Sequence, residues 1–415
     1  MAGPLTGVNV LEFSQVIAAP FGGQALADMG ASVLKVEPPE GDSWRLQLPF
    51  SPLESKTFQC LNRGKDSIAL RLNLPEGQKI VHQLIPETDV VLINYRPDVP
   101  KKFNIDYESL AAIRPDLIYV DLTAFGRQGP WALRPGYDGA VQAVSGLMAA
   151  EGKTRPGEGS PMTISSTAVA DFSSGIAMAD AVTTALYHRQ MTGEGQMVEC
   201  SLLATALNLQ LPVIMEHPLA DGKRNAARDV RQRRAGQGAS FQELLDIRRE
   251  AIGFEKGFQK ESEDNFFHRP FLTRDGVLVV AAETEGQQEA MRKLFSLSPK
   301  PSQDEIEQMI STIGNSDSST IMSMLIDAGI PTAPAHYPEE MINDETVLAN
   351  KWLMELHHDV TGPQQQMKLN LEFSETRCDE PDASPPLGRD SDKVLVSLGY
   401  NQNDIARMRK EGVIL

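Results

Sequence analysis

The first 125 residues alternate between short apolar runs and helix-forming stretches, and nothing else in the chain narrows its fold so much. Residues 8–13 (VNVLEF), 32–37 (SVLKVE), 89–95 (DVVLINY) and 117–123 (LIYVDLT) each read as a strand. Helical spacing fills the gaps at 21–29, 75–84 and 109–113, with Pro20 suited to a first turn and Gly30 to a stop. Strands that alternate with helices build βαβ crossovers, and so a parallel sheet. An α/β fold is therefore expected for this part.

A chain of 415 residues outgrows a single hydrophobic core, so more than one domain is expected. Turn residues at 126–130 and 134–136 precede a small-residue stretch, 137–150, that reads as a buried helix. A long helical segment opens near Asp171 and runs to Arg189, just ahead of Thr192-Gly193-Glu194-Gly195-Gln196. Residues 217–265 are different: polar, charged and poorly periodic, with Arg231-Gln232-Arg233-Arg234 among them. They read as an excursion or linker with some helix. The run 271–280 (FLTRDGVLVV) then predicts a hairpin about Asp275-Gly276, followed by helical patterns at 286–295 and 302–328. That order is α+β. The expected organisation is a large domain from 1–205, a small α+β domain over 225–330, and a return to the large domain over 335–415 that ends in a small helix at 403–410.

The formal net charge of −17 argues against nucleic-acid binding, which needs a basic footprint. Any anionic ligand must be met by local cations, because the overall field repels it. Residues 61–102 carry seven basic side chains (Arg63, Lys65, Arg71, Lys79, Arg96, Lys101, Lys102) against five acidic ones, a basic island that could also be an ordinary solvated face. Cys60, Cys200 and Cys378 are far apart, so neither a disulfide framework nor a metal site is suggested. Residues 1–5 lead into the first strand without a basic leader or an apolar core segment, and no apolar run is long enough to span a bilayer. A cytoplasmic protein with no membrane partner is the expectation.

Two positions invite chemistry. Glu37 ends the second strand, where a ribose-binding acid would lie in a dinucleotide site. The first turn, Ala18-Ala19-Pro20-Phe21-Gly22-Gly23, is not GxGxxG, however, and close helix–sheet packing accounts for its glycines equally well. Asp171, at a helix start, can be a cap or a nucleophile, and the residues alone leave both open. Phe172 and the small residues 168–170 would give it a dry setting.

Motifs spread over the chain resolve the second question by likeness. They are Val10 to Pro20, Leu26-Ala27-Asp28-Met29-Gly30-Ala31, Val33 to Asp42, Asn62 to Ile68, Pro75-Glu76-Gly77, Asn94-Tyr95-Arg96-Pro97, Gly126 to Pro130, Pro135-Gly136-Tyr137-Asp138, Asp171, the TGEGQ element and Pro385-Pro386-Leu387-Gly388. In this order they resemble the family III CoA-transferases (the CaiB/BaiF family), which include formyl-CoA transferase and the carnitine-CoA transferases. The likeness is dense over 1–205 and the last thirty residues and thin between. It implies a Rossmann-like large domain with a smaller α+β domain, in an interlocked homodimer. It further implies an acyl-CoA donor and a carboxylic acid acceptor, no permanently bound cofactor and no metal. Asp171 matches the family nucleophile. Val16, Ile17 and Ala18 match residues at the CoA thiol end, Leu70 and Asn73 adenosine contacts, and Asn94, Tyr95, Lys102 and Tyr137 the CoA wall. Ile17 departs from a glutamine found in some transferases, which argues against small, oxalate-like acids. Asn73 replaces a lysine of formyl-CoA transferase, so one phosphate contact must come from elsewhere.

The implied mechanism is covalent, through an aspartyl anhydride and an aspartyl-CoA thioester. Many such transferases close the site with a tetraglycine loop; Gly236-Gln237-Gly238 is the nearest candidate and a poor match. The α-methylacyl-CoA racemases share the fold but use a histidine where Tyr137 stands, and a tyrosine with a pKa of about 10 is a poor proton shuttle at neutral pH. His357-His358 falls in a charged tail region. A third reading is an inactive acyl-CoA-binding protein.

Overall fold

The computed structural model describes residues 3–251, 266–376, 378 and 380–415. It divides into two compact units, one of Met1–Glu216 with Lys351–Leu415, the other of His217–Asn350.

The first unit is built on a six-stranded parallel sheet. Its strands are β1 (Asn9–Phe13), β2 (Ser32–Glu37), β3 (Lys65–Ala69), β4 (Val90–Ile93), β5 (Ile118–Thr123) and β6 (Met197–Ser201), and they lie in the order β3-β2-β1-β4-β5-β6. Residues Val90–Ile93 are wholly buried because a parallel sheet is covered on both faces, and its strands therefore read as unbroken apolar runs. Successive side chains point to opposite faces. Val90 and Leu92 join one core with α1 (Ala18–Asp28) and α4 (Val169–Thr192), whereas Val91 and Ile93 join a second core with α2 (Pro75–Leu84) and the C-terminal Ile405, Met408 and Val413.

The expected helix over 137–150 is two helices, α3 (Asp138–Ser145) and a short one, Leu147–Glu151, broken where Gly146 adopts φ 87°. The return segment also departs from its reading as a charged tail. Leu353–His358 pairs antiparallel with Gly362–Met367, and His358 is fully buried, its Nδ1 accepting the N–H groups of Val360 and Thr361 at 3.1 and 3.2 Å.

In the second unit, His268–Leu272 and Val277–Ala281 form the expected hairpin, and Thr332–Pro334 adds a third antiparallel strand. The pattern over 302–328 splits into Gln303–Gly314 and Ser318–Asp327, with Ser302 and Glu305 forming a capping box at the first start. Of the excursion 217–265, the described part contains helices Gly222–Gly236 and Phe241–Ala251; Gly236-Gln237-Gly238 lies at the turn between them, and 252–265 falls outside the described residues. No helix among the described residues is long and apolar enough to cross a membrane.

Candidate active site

In an open parallel sheet, ligands bind at the carboxyl ends of the strands, where the strand order reverses. Here the reversal lies between β1 and β4. A cavity of about 580 Å³ opens there, wholly within the first unit. Its walls are the residues that follow the parallel strands: Gln15–Ala18 after β1, Pro38–Glu40 after β2, Leu70–Asn73 after β3, Asn94–Arg96 after β4, and Thr123 and Ala124 at the end of β5. Asn94 clamps the two sides of the reversal. Its side-chain amide donates to the Gln15 carbonyl at 2.8 Å and accepts from the Gln15 N–H at 3.0 Å.

The β1–α1 loop is held in an uncommon shape. Val16 has φ 72°, a left-handed conformation that a β-branched residue rarely adopts. Such strain persists only where the surroundings over-determine it. Asp42 is one restraint, accepting the Val16 N–H at 3.3 Å and the Trp44 N–H at 2.9 Å while pairing with Lys35 at 3.2 Å. Lys35 in turn donates to the Ser14 carbonyl at 2.9 Å. Beneath them Lys65 bridges Glu12, Asn62 and the Pro20 carbonyl, and burial brings its ammonium down to about 8.

These pairs settle two expectations. Glu37 does not serve a ribose: its two oxygens accept from Arg45 at 2.7 and 2.9 Å and from Ser67 at 2.7 Å. The glycines of the first turn are packing residues. A Cβ on Gly23 would lie 1.8 Å from Glu12 Oε2, and one on Gly22 would lie 2.9 Å from the Gly175 carbonyl. The basic island is likewise dispersed. Arg63 is buried against Asp28 and Lys65 against Glu12, leaving Arg71 and Arg96 on the cavity wall.

Asp171 reaches the same cavity from α4. It is not the helix cap that its position suggested. Ala168 stands at the N-cap without a side-chain bond, and Asp171 is in the first turn. The cap comes from α3: Asp138 Oδ1 accepts the N–H groups of Ala170 at 2.7 Å and Asp171 at 3.3 Å, and its other oxygen accepts from Gln142. The Asp171 side chain is thereby free for the cavity. The residue is 7% exposed, and no group among the described residues donates to its carboxylate. Burial, reinforced by the nearby Asp138 charge, pushes it up to about 7. Phe172, its neighbour in α4, meets Phe21 edge-on, ring centres 5.0 Å apart, although neither ring lines the cavity itself.

Of the residues matched by likeness, Val16, Ile17, Ala18, Leu70, Asn73, Asn94, Tyr95, Tyr137 and Asp171 all line the cavity. Burial pushes the Tyr95 phenol up to about 12. Tyr137 remains 67% exposed at the rim. Lys102 does not line the cavity; its ammonium pairs with Asp98 at 2.5 Å on an exposed helix. Sequence reasoning gave Gln15 and Glu40 no role, named Arg71 and Arg96 only within the basic island, and missed the capping role of Asp138. The strand ends were a sufficient signal for Gln15, Glu40 and Arg96, which lie just beyond strands that the pattern had located; Arg71 follows Lys65–Ala69, a strand that the pattern missed.

A family profile described as CoA-transferase family III matches residues 5–391. The chain belongs to CoA-transferase family III. Similarity to individual members agrees. A succinate–glutarate CoA-transferase of Agrobacterium fabrum is 42% identical over 208 residues, a match that spans 48% of this chain and only 51% of that protein. A succinyl-CoA:glutarate CoA-transferase of Mus musculus is 28% identical over 99% of this chain and 90% of its own length. Among solved structures, Rv3272 of M. tuberculosis superposes with a TM-score of 0.72 at 25% identity, covering 94% of this chain and 99% of the other. A CaiB/BaiF family protein from Brucella suis gives the same TM-score at 24% identity, covering 96% and 100%. A family III CoA-transferase is an enzyme that moves CoA between acyl-CoA thioesters and acids, and the cavity at the sheet's reversal is its candidate active site.

Proposed function

We propose that this enzyme transfers CoA from an acyl-CoA donor to a free carboxylic acid, with Asp171 as covalent nucleophile. The observation that carries the proposal is the Asp171 carboxylate, presented to the cavity from the first turn of α4 while a different acid caps that helix. An Asp171 oxygen attacks the thioester carbonyl, the C–S bond breaks, and CoA leaves as its thiolate. The resulting mixed anhydride is attacked at the aspartyl carbonyl by the thiolate, which expels the donor acid and leaves an aspartyl-CoA thioester. The acceptor carboxylate attacks that thioester and again releases the thiolate. Attack of the thiolate on the acceptor's carbonyl then forms the new acyl-CoA and restores Asp171. Covalent steps of this kind divide one difficult exchange into easier ones, and the burial of Asp171 favours them by limiting water near the anhydrides.

Val16, Ile17 and Ala18 would then meet the thiol end of CoA, Asn94, Tyr95 and Tyr137 the pantetheine wall, and Leu70 and Asn73 the adenosine. The Agrobacterium fabrum and Mus musculus relatives are both named for succinate or succinyl-CoA and glutarate, so succinyl-CoA with glutarate is the first pair to try. The enzyme is proposed to work as a homodimer. Hydroxylamine added with donor acyl-CoA should convert Asp171 to a hydroxamate, read by peptide mass, and Asp171→Asn should abolish both label and turnover. An Asn variant with wild-type transfer rates would refute the mechanism. Proton exchange at C2 of a 2-methylacyl-CoA in deuterated buffer would favour the racemase alternative instead.

A further inference from the structure

Four charged residues line the cavity: Asp171, Glu40, Arg71 and Arg96. Arg71 is held at one edge. Its Nε donates to the Gly412 carbonyl at 3.0 Å, and its backbone N–H donates to the Val413 carbonyl at 2.8 Å. Its Nη2 donates to Glu40 Oε1 at 2.8 Å, and its Nη1 has no partner among the described residues. Glu40 is presented by a stiff turn, Pro38-Pro39-Glu40-Gly41, closed by the Gly41 N–H on the Pro38 carbonyl at 2.8 Å. Its side chain is 64% exposed, and the bond from Arg71 holds its carboxyl below the usual carboxylate range.

An exposed ion pair contributes little to folding. This one faces a cavity in a chain of net charge −17, where an incoming anion needs a cation. We propose that Glu40 is a built-in stand-in for a substrate phosphate: it occupies Nη2 of Arg71 until a phosphate group of the CoA nucleotide half displaces it. The inference rests on the transferase reading. A phosphate brings more charge and more acceptor oxygens than one carboxylate, and the guanidinium fork suits it in a two-bond geometry. The Gly412 carbonyl has already fixed the plane of that fork. A carrier without phosphates leaves the Arg71–Glu40 pair in place and gains nothing from Arg71. Glu40 therefore weakens binding while Arg71 strengthens it. Arg96 is not arranged in this way, because its partner Asp98 lies off the cavity wall and also takes Lys102.

The test is titration calorimetry of the full chain with CoA and with pantetheine, which lacks the nucleotide half. Arg71→Ala should weaken CoA binding by about 10- to 100-fold, the range of a charge-assisted hydrogen bond. Glu40→Gln should tighten CoA binding. Neither change should move the pantetheine affinity. Because Arg71 also ties down residues 412 and 413, Glu40→Gln carries the test alone if the alanine variant does not fold. A purely structural ion pair predicts that both variants shift CoA affinity in the same direction, and that outcome overturns the inference. Wild-type binding of CoA with both variants silent also overturns it, while leaving the transferase reading intact. A wild-type chain that binds neither ligand defeats both.

Discussion

Asp171 and Asp138 divide two tasks that a lone acid at a helix start would have to combine. Asp138 satisfies the open N–H groups of α4, and Asp171 keeps its oxygens for the cavity. The division has consequences that pH can read. Asp171 sits at about 7 in the folded chain, above its ordinary 3.8, so the native state retains a proton that the unfolded state has lost. The native state therefore loses stability as pH rises from about 4 to 7, and the penalty is constant above that. Asp171→Asn removes the titration. Its melting temperature should exceed that of the wild type by more at pH 8 than at pH 5; an equal difference at the two values would show that the carboxyl titrates normally. The nucleophile must also be ionised, so kcat/KM should rise with pH through about 7, the value of the free enzyme. Asp138→Asn keeps one accepting oxygen for Ala170 but removes the charge and disturbs the bond from Gln142. It should move that acid limb to lower pH while retaining turnover; an unmoved limb would mean that the Asp138 charge does not reach Asp171. The sequence marked Asp171 through likeness, whereas its true place in the first turn was hidden. The cap comes from a residue 33 positions earlier, and no local pattern carries that information.

At the scale of elements, α1 and α4 are drawn together by glycines. A Cβ on Gly175 would lie 2.6 Å from the Ala18 carbonyl and 2.9 Å from the Phe21 ring. Both contacts are at the N-terminal ends of the two helices, beside Val16 and Asp171. Gly175→Ala must therefore shift one helix, at a cost of about 1–3 kcal/mol for overpacking. It should lower kcat more steeply than a buried alanine change elsewhere in α4 of similar stability cost, as a comparison of melting temperature with transfer rate would show. Equal losses would mean that helix spacing does not set the site. Four of the six parallel strands were legible because strands buried on both faces leave continuous apolar runs, as in Val90–Ile93; Lys65–Ala69 and Met197–Ser201, which carry Lys65, Asp66 and Glu199, were not read as strands. The hairpin of Leu353–His358 was overlooked for the opposite reason. Its buried positions alternate, and one of them is His358, whose imidazole faces inward beside Glu54 at 3.3 Å. A polar side chain in a buried position breaks the apolar count on which the reading depends.

At the scale of the molecule, the expected homodimer is open to a direct measurement. Light scattering should give about twice 45.5 kDa, unchanged on dilution, and a 45.5 kDa particle at every concentration would exclude it. The large unit was foreseeable in kind from the βαβ pattern, and a return of residues 335–415 to it was expected; which residues would meet was not, because pairing across three hundred residues leaves no local trace.

That distant pairing also bears on biosynthesis. Leu70 forms a β-bridge with Ile414, Ser67 accepts the N–H of Asp390, and Arg45 donates to the Pro385 carbonyl. A ribosome releases these partners only after it has made the whole of His217–Asn350 in between. The early strands must therefore wait, with apolar surface exposed, while more than three hundred further residues emerge. Arg71, tied to the Gly412 and Val413 carbonyls, is then the part of the cavity wall that the nascent chain fixes last, and the waiting interval is when a chaperone would be needed most.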